Sequence, residues 1–153
     1  MTRPRILIIG VGNLLLEDEG FGVHVIRQMA EMSLPPQVAV IDGGTGGVDL
    51  LSYLEQADRV IFIDIILTQE PPGTIFKFTP EEVRSKRSSL TLSLHQAGLL
   101  EVINLAGTLS IRPQITIIAT QPKRMDWGIG LSPELAARIP EVIQMALQEA
   151  EKS

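Results

Sequence analysis

Short apolar runs alternate along the chain with longer segments whose apolar residues recur at three- and four-residue spacing. The runs are rich in isoleucine and valine and are bounded by turn residues, which predicts β-strands. Because most of them are apolar on both faces and helical segments separate them, they predict an α/β fold with a mostly parallel, twisted sheet of about five strands and helices on both faces. The predicted strands cover residues 5–10, 37–42, 59–64, 73–78 and 114–120.

The fourth predicted strand differs from the others in how the chain reaches it. The turn Pro71-Pro72-Gly73 leads directly into it, and no crossover helix precedes it. A parallel connection needs a crossover of a dozen or more residues. This strand is therefore predicted to run antiparallel at an edge of the sheet.

The first two helices are predicted from apolar spacing and a capping residue. Helix one should span residues 19–32, with Asp18 as its N-cap and its apolar stripe toward the sheet. The second should run through residues 48–56. Thr79-Pro80-Glu81-Glu82 is a capping box with proline at the first helical position, and it predicts a short third helix.

Two further capping signals lie in the second half of the chain. Ser93-Leu94-His95-Gln96 predicts the start of a fourth helix that continues to about Leu105 and has His95 in its first turn. Ser132-Pro133 predicts the start of the last helix. Pro140 should kink or split that helix, because proline removes an internal hydrogen bond.

The composition indicates a single domain, residues 1–153, without disulfides or thiolate chemistry. The chain has no cysteine and two histidines, so any catalytic or metal chemistry must use oxygen and nitrogen atoms. A formal net charge of −5 argues against nucleic acid or an anionic membrane as a partner. No apolar run approaches the ~20 residues that a membrane-spanning helix needs. We expect a monomer in the cytoplasm.

The N-terminal segment has two arginines before an apolar run, as a signal peptide would. However, Gly12-Asn13 interrupts the run, and the acids Glu17, Asp18 and Glu19 follow it. No small-residue cleavage site is present. A first β-strand of the mature protein is therefore expected here.

Candidate functional residues follow from the rule that ligands of open parallel sheets bind beyond the carboxyl ends of the strands. The loops at those ends carry the acids of residues 17–19, the glycine-rich segment 42–47, and Asp64. An acid that closes an apolar strand, as Asp64 is predicted to do, is costly to bury without a partner. The alternative is that Asp64 caps a loop by accepting hydrogen bonds from backbone amides.

His95 adds a nitrogen donor to these carboxylates. In the first turn of a helix the dipole disfavours a positive imidazole, so the ring should stay neutral and able to bind a metal. One carboxylate from residues 17–19, together with Asp64 and His95, would suit zinc, nickel or manganese with coordination positions left open. The residues alone do not choose among the three acids. His24 is assigned a surface or packing role.

A nucleotide site is the alternative interpretation of the first loop. Gly10-Val11-Gly12 follows a strand and precedes a helix, as in a dinucleotide-binding motif, and Asp42 ends the second strand where a ribose-binding acid would lie. The third glycine of the motif is replaced by Leu15. The acids that follow would also repel a phosphate at the helix N-terminus. These two departures argue against a nucleotide.

Four motifs in the same order resemble those of the hydrogenase maturation endopeptidases, and the resemblance extends from about Arg5 to Leu147. They are GVGNLLLEDEGFG at residues 10–22, DGGT at 42–45, ID at 63–64 and SLHQAGL at 93–99. The family removes a C-terminal extension from the large-subunit precursor of NiFe-hydrogenase after nickel has been installed. The resemblance therefore implies a nickel-dependent endopeptidase with that precursor as its partner.

The resemblance also implies roles for individual residues. By similarity, Glu19, Asp64 and His95 are the nickel ligands and the catalytic set, and the nickel arrives bound to the precursor; other divalent metals could substitute in the isolated protein. The loop at Asp42, Gly43, Gly44 and Thr45 resembles the family's substrate-recognition segment. A second hypothesis is a degenerate family member that senses a metal or a nucleotide without cutting.

Overall fold

The computed structural model describes residues 5–85, 93–94 and 98–152, with the side chains of 84, 85, 93 and 94 excepted. Its strands are β1 (Ile6–Gly10), β2 (Val38–Asp42), β3 (Arg59–Leu67), β4 (Ile75–Phe78), β5 (Ser93–Leu94) and β6 (Gln114–Thr120). Of these six strands in the described ranges, five match the predicted runs to within a few residues, and β5 was not predicted.

The main sheet has the order β2-β1-β3-β6-β4. Strands β2, β1, β3 and β6 run parallel to one another. Strand β4 pairs antiparallel with β6, with Ile75 opposite Thr120 and Phe78 opposite Ile117. The prediction of a mostly parallel sheet with one antiparallel edge strand is therefore confirmed. The two-residue β5 lies off this path and pairs antiparallel with the end of β3.

Helices cover both faces of the sheet, as predicted. One apolar cluster joins α1 and α6 to Ile61, Ile63 and Ile65 of the central strand, and the other joins α2 and α4 to Val60, Phe62 and Ile66. No helix in the described ranges has the length and apolar character needed to cross a bilayer. The helices are α1 (Phe21–Met29), α2 (Leu50–Gln56), α3 (Pro80–Ser85), α4 (Leu99–Thr108), α5 (Pro133–Ala136) and α6 (Ile139–Ala150), with 3-10 turns at Glu17–Gly20 and Gly47–Asp49.

The first helix begins later than predicted, and Asp18 does not cap it. The three acids form a 3-10 turn, and α1 follows with Gly20 at its N-cap and no side-chain cap. The reason is that the Asp18 carboxylate accepts hydrogen bonds from a distant part of the chain. The turn therefore places Glu19 ahead of the helix and not in its first turn.

The central strand β3 is longer than predicted, so Asp64 lies inside it and does not close it. The apolar residues after Asp64 extend the strand, because Ile65 pairs with Thr120 of β6 and Ile66 pairs with Leu94 of β5. Such pairing continues the ladder past a single acid.

The predicted helix start at Ser93-Leu94 is wrong. These two residues form β5, and α4 begins at Leu99 after Gly98, whose backbone is left-handed with φ 57°. The placement of His95 in a first helical turn falls on a residue outside the described ranges. The helix-dipole argument for a neutral His95 consequently has no structural support.

The remaining capping predictions are confirmed. Thr79 Oγ1 accepts a hydrogen bond from the Glu82 amide, and Glu82 Oε1 accepts one from the Thr79 amide. Ser132 caps α5 by accepting from the Leu135 amide. Pro140 splits the last helical region and occupies the first turn of its second part, α6.

Candidate functional site

The loops at the carboxyl ends of β1 and β2 are joined by backbone hydrogen bonds. The Gly12 amide donates to Gly44 O at 2.7 Å, and the Gly43 amide donates to Gly10 O at 2.8 Å. The Val11 amide donates to Ile63 O at 2.9 Å, which fixes the β1 loop beside the residue that precedes Asp64. Three sequence-predicted segments therefore meet at this edge of the sheet.

In the loop after β1, backbone atoms of the protein itself pack closely against Gly10 and Gly12. A Cβ at Gly12 would lie 2.0 Å from Glu19 O, and a Cβ at Gly10 would lie 2.1 Å from Gly22 O. In a dinucleotide-binding loop such glycines allow the approach of a pyrophosphate. Here they allow the approach of the turn that carries Glu19 and of α1, which argues further against a nucleotide site.

Glu19 and Asp64 are both buried beside this loop. Burial raises the pKa of Glu19 above its usual value. Burial also raises the pKa of Asp64 well above its usual value; the hydrogen bond from the Ile65 amide opposes this shift, and the charge of Glu19 adds to it. The 3-10 turn that carries Glu19 contacts β3, which carries Asp64, so the two predicted ligands lie in neighbouring elements.

The hydrogen bonding of Asp64 is incomplete among the described residues. Its Oδ1 accepts from the Ile65 amide at 2.8 Å, but its buried Oδ2 has no hydrogen-bond partner. Most buried polar atoms have a partner, and an exception calls for an explanation. A divalent cation bound by Asp64 and Glu19 would satisfy the free oxygen and offset the repulsion between two buried carboxylates. The donor set therefore fits a metal.

His95, the third predicted ligand, lies outside the described residues. Its neighbour in sequence, Leu94, pairs with Ile66, which is two residues from Asp64. The part of the chain that the structure describes contains no group of three histidine, aspartate or glutamate side chains suited to a metal. The assignment of His95 stays a prediction. His24 is half-buried in α1, in keeping with a packing role.

The predicted substrate segment forms a tight turn at the end of β2. Asp42 Oδ1 accepts from the Gly44 amide at 2.8 Å, and Gly44 has φ 53°, which favours glycine. The amides of Gly43 and Gly44 are thus used within the protein. The side chains of Asp42 and Thr45 are exposed at the rim of the site and could contact a peptide.

Sequence reasoning missed the loop that follows β6, which we call the 123–132 segment. Asp18 is fully buried and fixes both ends of this segment: its carboxylate accepts hydrogen bonds from the amides of Lys123, Arg124 and Ser132 and from the Ser132 hydroxyl, at 2.7–3.0 Å. The carboxyl-end rule, applied to the last parallel strand, would have selected this loop too.

Glu17 also contacts the 123–132 segment. Its amide donates to Gly128 O at 3.0 Å, and its carboxylate lies 3.4 Å from Arg124 Nε. The three adjacent acids therefore have different surroundings. Glu17 pairs with a partly exposed arginine, Asp18 is saturated by backbone and hydroxyl donors, and Glu19 lies near Asp64.

The sequence of this chain is similar to that of a known family and its members. A family model described as hydrogenase maturation protease matches residues 23–149. The hydrogenase 2 maturation protease of Escherichia coli is 34% identical over 152 residues, which cover 97% of this chain and 92% of that protein. The hydrogenase expression/formation protein HupD of Bradyrhizobium diazoefficiens is 39% identical over 147 residues, covering 94% and 77%.

Solved structures show the same similarity. The hydrogenase maturating endopeptidase HybD from Escherichia coli superposes with a TM-score of 0.83 at 33% identity, over 96% of this chain and 94% of that one. The maturation protease HybD from Thermococcus kodakarensis gives a TM-score of 0.76 at 28% identity, over 96% and 99%. Both the fold and the sequence of this chain are therefore similar to those of these proteins.

Proposed function

This chain belongs to the hydrogenase maturation protease family, and on that premise we propose that it is an endopeptidase that removes the C-terminal extension of a NiFe-hydrogenase large-subunit precursor after nickel insertion. The observation that carries the nickel dependence is the buried pair of Glu19 and Asp64, in which Asp64 Oδ2 accepts no hydrogen bond from the described residues. Two buried carboxylates in this arrangement favour a cation.

The proposed substrate brings its own nickel, and Glu19, Asp64 and His95 complete the coordination of that ion. Oxygen and nitrogen donors of this kind suit a first-row divalent metal. A divalent ion supplies either polarisation of the scissile carbonyl or a bound water of lowered pKa. The role of the chain's own residues is to hold the peptide bond next to that ion.

The Asp42–Thr45 loop is the proposed contact for the peptide that is cut. It lies beside the β1 loop through the bond between the Gly12 amide and Gly44 O, so a peptide held at Thr45 lies close to the turn that carries Glu19. The two exposed side chains, Asp42 and Thr45, are available for this contact.

Intact-mass analysis of the precursor tests the activity. The large-subunit precursor from the same organism is incubated with this protein in nickel-loaded and nickel-free forms. Loss of a C-terminal peptide from the loaded form alone is expected. Cleavage of both forms would contradict the nickel requirement and retain the protease. Cleavage of neither, with nickel shown to be present, would contradict the proposed function.

Ligand variants in the same assay test the site. Asp64→Asn and His95→Ala are expected to slow processing at least ~100-fold. Replacing a residue that only orients a metal ligand already costs ~10–100-fold in metal affinity or activity. Asp64→Asn should fold at least as stably as the parent protein, since it removes a carboxylate that is costly to bury. Asp49→Asn changes an exposed acid nearby and serves as the control. Full processing by both ligand variants would refute the assignment.

A non-cutting sensor of a metal or a nucleotide is the alternative. Tight dinucleotide binding measured by calorimetry, without processing of any precursor, would favour it. The packing at Gly12 gives the nucleotide version no support. The monomeric state and the cytoplasmic location of the protein stay predictions.

A further inference from the structure

Three large apolar side chains are exposed beside the proposed active site. Trp127 is 79% exposed, Ile129 is 84% exposed and Leu15 is 54% exposed. Leu15 lies in the loop after β1, and the other two lie in the 123–132 segment after β6, so all three extend from the carboxyl edge of the sheet. A single exposed apolar residue needs no explanation, whereas a patch of them marks an interaction surface.

Backbone hydrogen bonds join the two loops into one unit. The Gly128 amide, between Trp127 and Ile129, donates to Leu15 O at 2.9 Å, and the Glu17 amide donates to Gly128 O at 3.0 Å. We call Leu15, Trp127 and Ile129 the apolar rim. The rim is continuous with the 3-10 turn that bears Glu19, so a protein that reaches Glu19 and Asp64 passes close to these side chains.

The rim is also held in place before any partner arrives. The four hydrogen bonds to the Asp18 carboxylate fix the ends of the 123–132 segment, and the Gly128 bonds fix its middle. A preorganised loop binds with less loss of conformational entropy than a flexible one. Tryptophan is moreover enriched among the residues that contribute most to protein interfaces.

We propose that the apolar rim is the docking surface for an apolar segment of the large-subunit precursor, next to the peptide that enters the site. This inference rests on the proposed function and specifies how that substrate is recognised. Aliphatic or aromatic side chains of the precursor would cover Trp127 and Ile129, since all three rim side chains are apolar.

The small size of the rim favours this occupant over a second copy of the chain. A stable interface buries about 800 Å² on each partner. One tryptophan with two aliphatic side chains supplies only a few hundred Å². The rim therefore suits one part of a larger contact in which the precursor's peptide also occupies the site.

Trp127 is the only tryptophan in the chain, which allows a direct test. With 5-fluorotryptophan incorporated, the protein has one fluorine resonance, whose shift between H2O and D2O reports solvent exposure. Addition of the nickel-loaded precursor is expected to move this resonance and abolish its solvent isotope shift. An unchanged isotope shift with the precursor bound would overturn the proposal. Absence of binding by the parent protein would overturn it too.

Variants test the energetic contribution of the rim. The double variant Trp127→Ala, Ile129→Ser is expected to raise the Kd for the precursor, and the KM for processing, about tenfold or more, with the loss in KM and not in kcat. Leu109→Ser is the matched control, since Leu109 is 56% exposed beyond the end of α4, on the connection that enters β6 at the opposite edge of the sheet. An equal Kd for the double variant and the parent would overturn the proposal.

The two proposals fail in different ways. Precursor binding that covers Trp127 without any cleavage would contradict the protease function and retain the docking surface. Cleavage by the double variant with an unchanged KM would contradict the docking surface and retain the protease function. Loss of the isotope shift without precursor, accompanied by a dimer in sedimentation, would assign the rim to self-association and overturn the proposal.

Discussion

Asp18 and Asp64 are both buried carboxylates, but they differ in the hydrogen bonds they accept. Asp18 accepts four, from three amides and a hydroxyl. Among the described residues Asp64 accepts one, from the Ile65 amide, and its Oδ2 accepts none. A saturated buried carboxylate stabilises its surroundings, whereas an unsatisfied one costs free energy unless a ligand completes it. This difference indicates a structural role for Asp18 and supports the proposal that Asp64 is a metal ligand.

Replacement of Asp18 by asparagine should destabilise the protein. An amide cannot accept at both positions, so its NH2 group would face a backbone amide or the Ser132 hydroxyl. We expect a loss of about 1–3 kcal/mol in the free energy of unfolding, measured by urea denaturation. Hydrogen exchange should also become faster at the amides of Lys123, Arg124 and Ser132.

Asp126→Asn is the control for Asp18→Asn. Asp126 is an exposed acid in the same 123–132 segment, and surface substitutions usually change stability by no more than about 0.5 kcal/mol. Equal stability and equal exchange protection in the two variants would show that Asp18 does not anchor the segment.

At the scale of elements, the contact between α1 and the central strands decides where the acidic turn lies. A Cβ at Gly22 would lie 2.3 Å from Ile63 O and 2.6 Å from Val11 O. Only glycine lets the first turn of α1 approach the sheet this closely. Glu19 stands three residues before Gly22, and Asp64 follows Ile63, so this helix–strand contact brings the two acids together.

Gly22→Ala should therefore destabilise the protein strongly. The new methyl group would meet backbone atoms, which cannot move aside as a flexible side chain can, so we expect a loss of ~3 kcal/mol or more, at the upper end of overpacking effects. Urea denaturation measures the change in the free energy of unfolding.

Gly107→Ala is the matched control for Gly22→Ala. Gly107 lies in α4, and a Cβ there would meet no atom within 4 Å. Gly107 is in the last turn of α4 and is not among the glycines with positive φ, so alanine fits its backbone and should raise the free energy of unfolding by up to about 1 kcal/mol. If Gly22→Ala were as stable as Gly107→Ala, the close contact between α1 and β3 would be refuted.

At the scale of the whole molecule, Glu149 connects the last helix to the amino ends of the parallel strands, at the opposite end of the strands from the site. Its carboxylate lies 3.2 Å from Lys77 Nζ of β4 and 3.0 Å from Lys152 Nζ, and it accepts from Thr116 Oγ1 of β6 at 3.0 Å. Its backbone carbonyl accepts from Arg59 at 2.6 Å. One helix end therefore contacts β3, β4 and β6 through polar groups.

The stability contributed by Glu149 should depend on pH. Burial alone would raise the pKa of Glu149, but hydrogen bonds from Lys152, Lys77 and Thr116 outweigh it and hold the pKa below its usual value. A lowered pKa in the folded state means that the contribution is complete above the unfolded pKa of about 4.3 and is lost as the pH falls through the folded value.

Thermal melting of Glu149→Gln from pH 7 to pH 3 tests this. The variant should be only about 1–2 kcal/mol less stable at pH 7, because the lysines are partly exposed and their charges are screened. The difference should start to shrink near the unfolded pKa of about 4.3 and go on shrinking as the pH falls toward 3. Glu151→Gln, at an exposed position nearby, is the control. A difference that grows as the pH falls would contradict the assigned direction.

The sequence by itself determined the order and type of most elements, because the signals for them are local. Apolar runs separated by helical segments predicted the five strands of the main sheet, and the turn Pro71-Pro72-Gly73 predicted the antiparallel edge strand. The capping box at Thr79 and the break at Pro140 depend on residues three or four apart. The family motifs also pointed to the acids near Gly10, to Asp64 and to His95.

The tertiary structure decided what depends on partners far apart in the sequence. The donors to Asp18 lie 105 to 114 residues away, so no local pattern distinguishes it from a helix cap. Ser93 and Leu94 have a capping pattern, but they pair with Leu67 and Ile66 at the end of β3. Pairing with this strand competes with helix formation for their backbone hydrogen bonds. The apolar rim arises in the same way, since Leu15 and Gly128 meet only when the loops after β1 and β6 share one edge of the sheet.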